Sequence, residues 1–196
     1  MPPPDEIAPP ASAHPGNSAG SDLCRDCGLC CDGSLFDGVD LGGEEVDAAA
    51  ANGLRPIAGP DGAQFRLPCP RFIGICGIYP GRPLRCRQYS CHLLARFEAG
   101  EVDETSAHAI VAEAIRLAGA ADALAEPAGN RAAARRRWER DFKAMTGDRA
   151  GDASGAEPRW LLAMTAYQYF LDRHFRKPGR ERLKVGAKPE MMAGDA

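Results

Sequence analysis

The chain has 196 residues, of which 44% are hydrophobic and 26% charged, which excludes a wholly disordered or collagen-like polypeptide and bounds it to one ordinary domain plus some unstructured length. Its formal charge of -3 lacks the positive balance of a protein whose main task is to grip a phosphate backbone. Eight cysteines, all between Cys24 and Cys91, are the outstanding feature.

Residues 1–22 are rich in Pro, Ala, Gly, Ser and Asn, with Ile7 as the one sizeable apolar side chain, and are expected to form a disordered tail. They carry no basic n-region and no long apolar run, so they do not read as a secretory signal. Nothing later approaches the roughly 18–20 apolar residues of a membrane helix. The expectation is a soluble, cytoplasmic protein with no membrane partner. In that reducing compartment, clustered cysteines favour thiolate–metal chemistry over disulfides.

Residues 23–100 are expected to form a cysteine-cluster, metal-binding module. Within it GGEEVDAAAANG predicts a short helix, with acids in its first turn and Asn52-Gly53 as a stop. Residues 54–67, interrupted by the turn GPDG, predict a small hairpin. The rest of the module reads as irregular. Residues 101–175 predict a helical part packed on the module. Ile110, Val111, Ala114, Leu117, Ala118, Ala121 and Leu124 form one apolar stripe; Trp138, Phe142 and Met145 mark a second helix, and Trp160, Met164, Tyr167 and Leu171 a third. Residues 176–196 read as a flexible, charged tail. The fold class that follows is mainly α, with an irregular, metal-stabilised cysteine-rich module and room for a small β-hairpin.

The first cysteine group is C-R-D-C-G-L-C-C, supplying Cys24, Cys27, Cys30 and Cys31. A spacing of two lets consecutive thiols turn onto one ion while the intervening amides point at the sulfurs, and two such steps in a row are far more specific than one. Neighbouring side chains diverge, so Cys30 and Cys31 read as serving different ions or opposite sides of one cluster. The second group, Cys69, Cys76, Cys86 and Cys91, lies in a stretch stiffened by Pro68, Pro70, Gly74, Gly77, Pro80, Gly81 and Pro83. On one continuous helix Cys86 and Cys91 would stand about 140° apart. Either a helix begins between them or they address different ions. His92 is a replacement ligand or, more simply, a packed residue.

Charge is unevenly spread. Residues 1–53 hold one arginine against ten acids, whereas residues 54–100 hold seven arginines against two. Arg66, Arg71, Arg82, Arg85, Arg87 and Arg96 lie near the second cysteine group in sequence. They suit hydrogen bonds to metal-bound sulfur, or form an ordinary solvated surface.

The run CxxCxxCC, followed by C-P, by C-x-I-Y-x-x-R-P-x-x-C-R and by Y-x-C, resembles the YkgJ-type cysteine-cluster family, described as a zinc- or iron-chelating domain. All eight cysteines match, as do Ile78, Tyr79, Arg82, Pro83, Arg87 and Tyr89, over residues 23–91. The resemblance implies a metal-ion binding protein, for zinc or iron, with Cys24, Cys27, Cys30, Cys31, Cys69, Cys76, Cys86 and Cys91 as ligands. A similar cysteine pattern in flagellin lysine methylases, where it is associated with an iron-sulfur cluster, implies an alternative: an iron-sulfur redox or transferase enzyme. No methyl-donor motif accompanies it.

A third reading, a zinc-type nucleic-acid-binding module, rests on the basic run R-A-A-A-R-R-R-W-E-R-D-F-K. Its bland counterpart is a solvated face opposite Trp138 and Phe142. No G-x-S-x-G, P-loop, dinucleotide fingerprint or H-E-x-x-H motif appears. Met164, Tyr167, Tyr169 and Phe170 read as core packing rather than a pocket, and Asp26, Asp32 and Asp37 as turn residues rather than hard-ion ligands.

Overall fold

The computed structural model describes residues 19–125, 129–146 and 157–183. The helical part is built on the expected stripes. Helix α5 (Glu104–Ala123) starts at Asp103, whose carboxylate accepts the Ser106 N–H at 2.8 Å, a side-chain cap for an otherwise orphaned donor. It buries Ala107, Val111, Ala114, Ala118 and Ala121, so small side chains let its partner approach closely. That partner is α7 (Pro158–His174), opened by Pro158 at its first turn and by Glu157, which accepts the Trp160 N–H at 2.8 Å. Trp160, Met164, Tyr167 and Leu171 face inward as the 3.6-residue period requires. Between them in sequence, α6 (Arg131–Thr146) inserts Trp138, whose indole N–H donates to Thr165 Oγ1 at 3.0 Å. Leu124 and Met145, expected on the stripes, lie at helix ends and are exposed.

The cysteine-bearing stretch is more regular than expected. Helix α1 (Ala19–Cys27) begins inside the segment expected to be disordered, because Leu23 gives it an anchor in the helical core; residues 1–18 lie outside the described residues. The predicted short helix is a 3-10 turn (Gly43–Glu45) running into α2 (Val46–Ala51), stopped at Asn52 and at Gly53, whose φ is +78°. The predicted hairpin is β2 (Pro56–Gly59) with β3 (Gly62–Arg66). A further strand, β1 (Gly38–Leu41), pairs antiparallel with β3, giving the order β1-β3-β2 with Val39 opposite Phe65. Two more short helices, α3 (Leu84–Gln88) and α4 (His92–Glu98), occupy sequence expected to be irregular.

Two apolar clusters result. The larger joins Leu23, Leu29, Leu35 and Leu93 of the cysteine stretch to the buried faces of α5, α6 and α7; the smaller, under the sheet, contains Leu41, Ala49, Leu54, Phe65 and Leu67. Cys27 and Cys30 of the first cysteine group lie against the helical core. The tail also folds back. Asp172 accepts the Arg182 N–H at 3.1 Å and the Leu183 N–H at 2.8 Å, so Leu183 is buried rather than frayed, while residues 184–196 lie outside the described residues. Among the described residues no helix is long and apolar enough to cross a membrane.

Candidate metal centre

Each cysteine is placed by a different local device. Cys24 and Cys27 are one turn apart on α1, which ends at Gly28 with φ +66°, a conformation that only glycine adopts without strain. Phe72 from the second cysteine stretch lies directly on Gly28: a Cβ there would sit 2.2 Å from the ring. Past Gly28 the chain makes one tight turn, with the Cys31 and Asp32 N–H groups donating to Gly28 O at 2.8 and 3.0 Å, and this turn holds Cys30 and Cys31. Cys69 and Cys76 close a loop in which Phe72 pairs with Cys76. Cys86 rides on α3, whose first N–H, from Leu84, donates to Glu45 Oε1 at 2.7 Å. Cys91 caps α4, its sulfur accepting the Leu94 N–H at 3.4 Å, so a helix does begin between Cys86 and Cys91.

These devices bring both groups into one neighbourhood. Cys91 lies within electrostatic reach of Cys24, Cys27 and Cys30; Cys31 lies within reach of Cys69, Cys76, Cys86 and Cys24. The main chains touch as well, the Cys69 N–H donating to Cys31 O at 2.7 Å. All eight are free thiols and all are half-buried. Among the described residues, however, no group of three or more His, Cys, Asp or Glu side chains stands as a metal ion would require. The sulfurs share a neighbourhood rather than a point.

Backbone donors are aimed at them. The Leu94 N–H donates to the Cys91 sulfur at 3.4 Å, the N–H groups of Leu29 and Arg71 lie where they lower the Cys27 and Cys69 thiols, and the Phe72 N–H donates to Cys69 O at 3.1 Å. Donors two and three residues past a sulfur are the arrangement that stabilises ionised sulfur. Without a cation, burial and mutual proximity disfavour the ionised form of these sulfurs and hold them as neutral thiols. Burial raises Cys27 to about 12 and Cys86 to about 11, with neighbouring thiols adding to both, and burial raises Cys24, Cys30, Cys31, Cys69 and Cys91 in the same direction.

Of the arginines singled out, Arg82 reaches the sulfurs, hydrogen-bonding Cys24 and lying near Cys86. It also stacks over Tyr79, its guanidinium carbon 3.6 Å from the ring centre, with Arg25 on the same ring at 5.6 Å. Arg71 lies near Cys69, whereas Arg96 pairs with Glu101 and Arg66 is exposed. His92 opens α4; its N–H donates to Phe175 O at 3.0 Å, and it lines a cleft of about 280 Å³ with Tyr169, Asp172 and Arg173. A second cleft, about 420 Å³, is lined by Asn52, Gly53, Arg71, Ile78 and Gly81 beside the second cysteine group.

No protein family, curated protein or solved structure matches this chain.

The turn bearing Cys30 and Cys31 is fastened from below by residues that the motif did not point to. The Tyr167 hydroxyl donates to Ser34 Oγ at 2.7 Å, and Asp32 accepts both the Ser34 N–H at 2.8 Å and Arg131 Nη1 at 2.5 Å. Gly33, at φ +91°, lies against Ala132 of α6, and Gly33 O accepts from Arg135 Nε at 3.4 Å. Arg135 is fully buried and pairs with Asp37 and Glu139. Thus Asp32 and Asp37 serve as ion-pair acceptors for α6, and Asp26 is exposed. The basic run of α6 is engaged in the same way: Arg131 with Asp32 and Asp122, Arg136 with Asp37, and Arg137 with Asp141 and over the Trp160 ring.

Proposed function

We propose that this chain is a metal-thiolate protein that holds zinc or iron through Cys24, Cys27, Cys30, Cys31, Cys69, Cys76, Cys86 and Cys91. The observation that carries the reading is the set of backbone N–H donors converging on Cys27, Cys69 and Cys91 while Arg82 hydrogen-bonds Cys24. Protonated thiols are weak acceptors and gain little from such donors. Thiolates gain much more, and soft cations are what eight half-buried thiolates select. The CxxCxxCC pattern and its resemblance to the YkgJ-type family support the same reading. Binding would draw the sulfurs in from their shared neighbourhood onto the ion, releasing thiol protons and supplying folding energy to a stretch whose own apolar cluster is small.

The decisive experiment is elemental analysis with an absorption spectrum on the full chain purified without oxygen. Zinc or iron bound in stoichiometric amount supports the reading, and a colourless zinc form marks a structural role. Neither metal, with all thiols free, overturns it.

A second reading, an iron-sulfur redox or transferase enzyme, is favoured by the cleft beside Arg71 and Ile78, since its lining includes Gly77, the chain neighbour of Cys76. Iron with acid-labile sulfide, visible absorption bands and a reducible paramagnetic signal support it. A metal without redox chemistry removes it. The nucleic-acid reading is less favoured, because Arg131, Arg135, Arg136 and Arg137 of its basic run pair with carboxylates of the protein, while Arg140 and Lys143 are exposed.

A further inference from the structure

We infer that the eight sulfurs form two separate four-sulfur ion sites divided at the Cys30–Cys31 peptide bond, one made by Cys24, Cys27, Cys30 and Cys91, the other by Cys31, Cys69, Cys76 and Cys86. The inference rests on the metal-thiolate reading and adds which sulfurs belong together.

Packing carries the division. Cys27, Cys30 and Cys91 lie against the helical core, whereas Cys69 and Cys86 lie against the cluster under the sheet. Neither apolar cluster contains cysteines of the other kind. The three remaining memberships, those of Cys24, Cys31 and Cys76, follow from local geometry, Cys76 lying in the loop where Phe72 bridges to it and donates its N–H to Cys69 O at 3.1 Å. Cys24 is one turn from Cys27 on α1, which places it with Cys27, Cys30 and Cys91, although Cys31 and Cys76 also lie within its electrostatic reach. Cys31 is joined to Cys69 through its main chain at 2.7 Å, and Cys69, Cys76 and Cys86 lie within its electrostatic reach, as do Cys24 and Cys30.

The turn after Gly28 makes the split physically natural. Successive residues in a helical turn point about 100° apart, so adjacent thiols address different partners. Here that divergence falls at the seam between the two cores, and the backbone carbonyl of Cys31 is already engaged on the sheet side. Neither site is contiguous in sequence. The first takes Cys91 from beyond all the cysteines of the second, and the second takes Cys31 from within the first motif. Each ion therefore ties the N-terminal cysteine turn to a different later segment: α4 in one case, the loop bearing Cys69 and Cys76 in the other. The electrostatics are compatible with two charged centres, because Arg25 and Arg82 stack on Tyr79 at the seam, with Arg82 on Cys24 and near Cys86.

The test is cadmium-113 NMR with native mass spectrometry on the full chain reloaded with cadmium under anaerobic conditions. The unsubstituted protein should bind two ions and show two resonances in the all-sulfur region, a result that needs no variant to fold. Cys27→Ser and Cys91→Ser should move or remove the same resonance, and Cys69→Ser and Cys86→Ser the other. The double variant Cys27→Ser/Cys91→Ser should keep one ion, whereas Cys86→Ser/Cys91→Ser should disturb both. One ion per chain, or a pattern in which every single variant disturbs both resonances, overturns the division while leaving metal binding intact. Binding of no cadmium at all overturns the metal-thiolate reading itself.

Discussion

The hydroxyl of Tyr167, near the middle of α7, donates to Ser34 Oγ at 2.7 Å with both residues buried, joining a helix of the C-terminal part to the turn that follows Cys31. This bond heads a chain that continues through Asp32 to Arg131 and Asp122. Deleting one partner of a buried hydrogen bond costs about 1–3 kcal/mol when the other is left unsatisfied. Tyr167→Phe should therefore lower the thermal midpoint by several degrees, while Tyr169→Phe, at an exposed ring, should leave it unchanged. Scanning calorimetry of the two variants checks this.

Arg135 and Arg136 are adjacent, both pair with Asp37, and differ in burial: the first is fully buried, the second about half-exposed. Arg135→Met should destabilise by about 3 kcal/mol, because it leaves Gly33 O without its donor and breaks a buried ion pair. Arg136→Met should cost less than about 1 kcal/mol. Urea unfolding midpoints separate the two.

Opposite signs are expected at two glycines. Gly33, at φ +91°, has the Ala132 backbone nitrogen 2.9 Å from where a Cβ would stand, and backbone cannot swing aside. Gly33→Ala should cost more than about 1–2 kcal/mol from the left-handed conformation alone. Gly119, within α5 and facing open space, should instead stabilise by about 0.5–1 kcal/mol when replaced by alanine. Both effects are read from denaturation curves.

How far the sequence was legible follows the same lines. The stripes of α5 and α7 and the hairpin could be read because their periods are long enough to count. Strand β1 is four residues long and offers no alternation to detect, and α1 has a single apolar anchor, Leu23, in a run of small polar residues. The run around Arg135 reads as a nucleic-acid-binding or solvated face, although the position of Arg135, three before Trp138 and seven before Phe142, puts it on the buried stripe. The cysteine motif named the candidate ligands. The fastening by Ser34, Tyr167 and Glu45 left no trace in it, since each acts across more than thirty residues of chain.

Acid stability should depend on Asp37. Burial raises its carboxyl, but hydrogen bonds from Arg136 and Arg135 outweigh this and hold it below the usual aspartate range. A depressed value means that the stabilisation is complete above the ordinary pH of about 4 and is lost as pH falls through the lower folded value. Stability measured against pH should fall in that window, and Asp37→Asn should flatten the fall while lowering the plateau above it.

On the metal-thiolate reading, a strong chelator should affect the two cores unequally. The cluster under the sheet rests on Leu41, Ala49, Leu54, Phe65 and Leu67, whereas the helical core includes Trp138, Trp160 and Leu171. Limited proteolysis after metal removal should cut first within residues 69–91, while far-ultraviolet circular dichroism keeps most of its helical signal. Uniform loss of both would mean that the cores melt together.

Ile73 and Ile75 stand 80% and 49% exposed on either side of Gly74, between Cys69 and Cys76. Two greasy side chains held in water gain nothing from solvent, so the tip keeps its shape through backbone bonds, the Ile73 N–H to Ile75 O at 3.1 Å and the Gly77 N–H to Arg71 O at 2.9 Å. Whatever grips or releases its ends thereby sets how freely the tip wags, which makes it a natural place to attach a fluorophore that senses the state of the sulfurs without touching them.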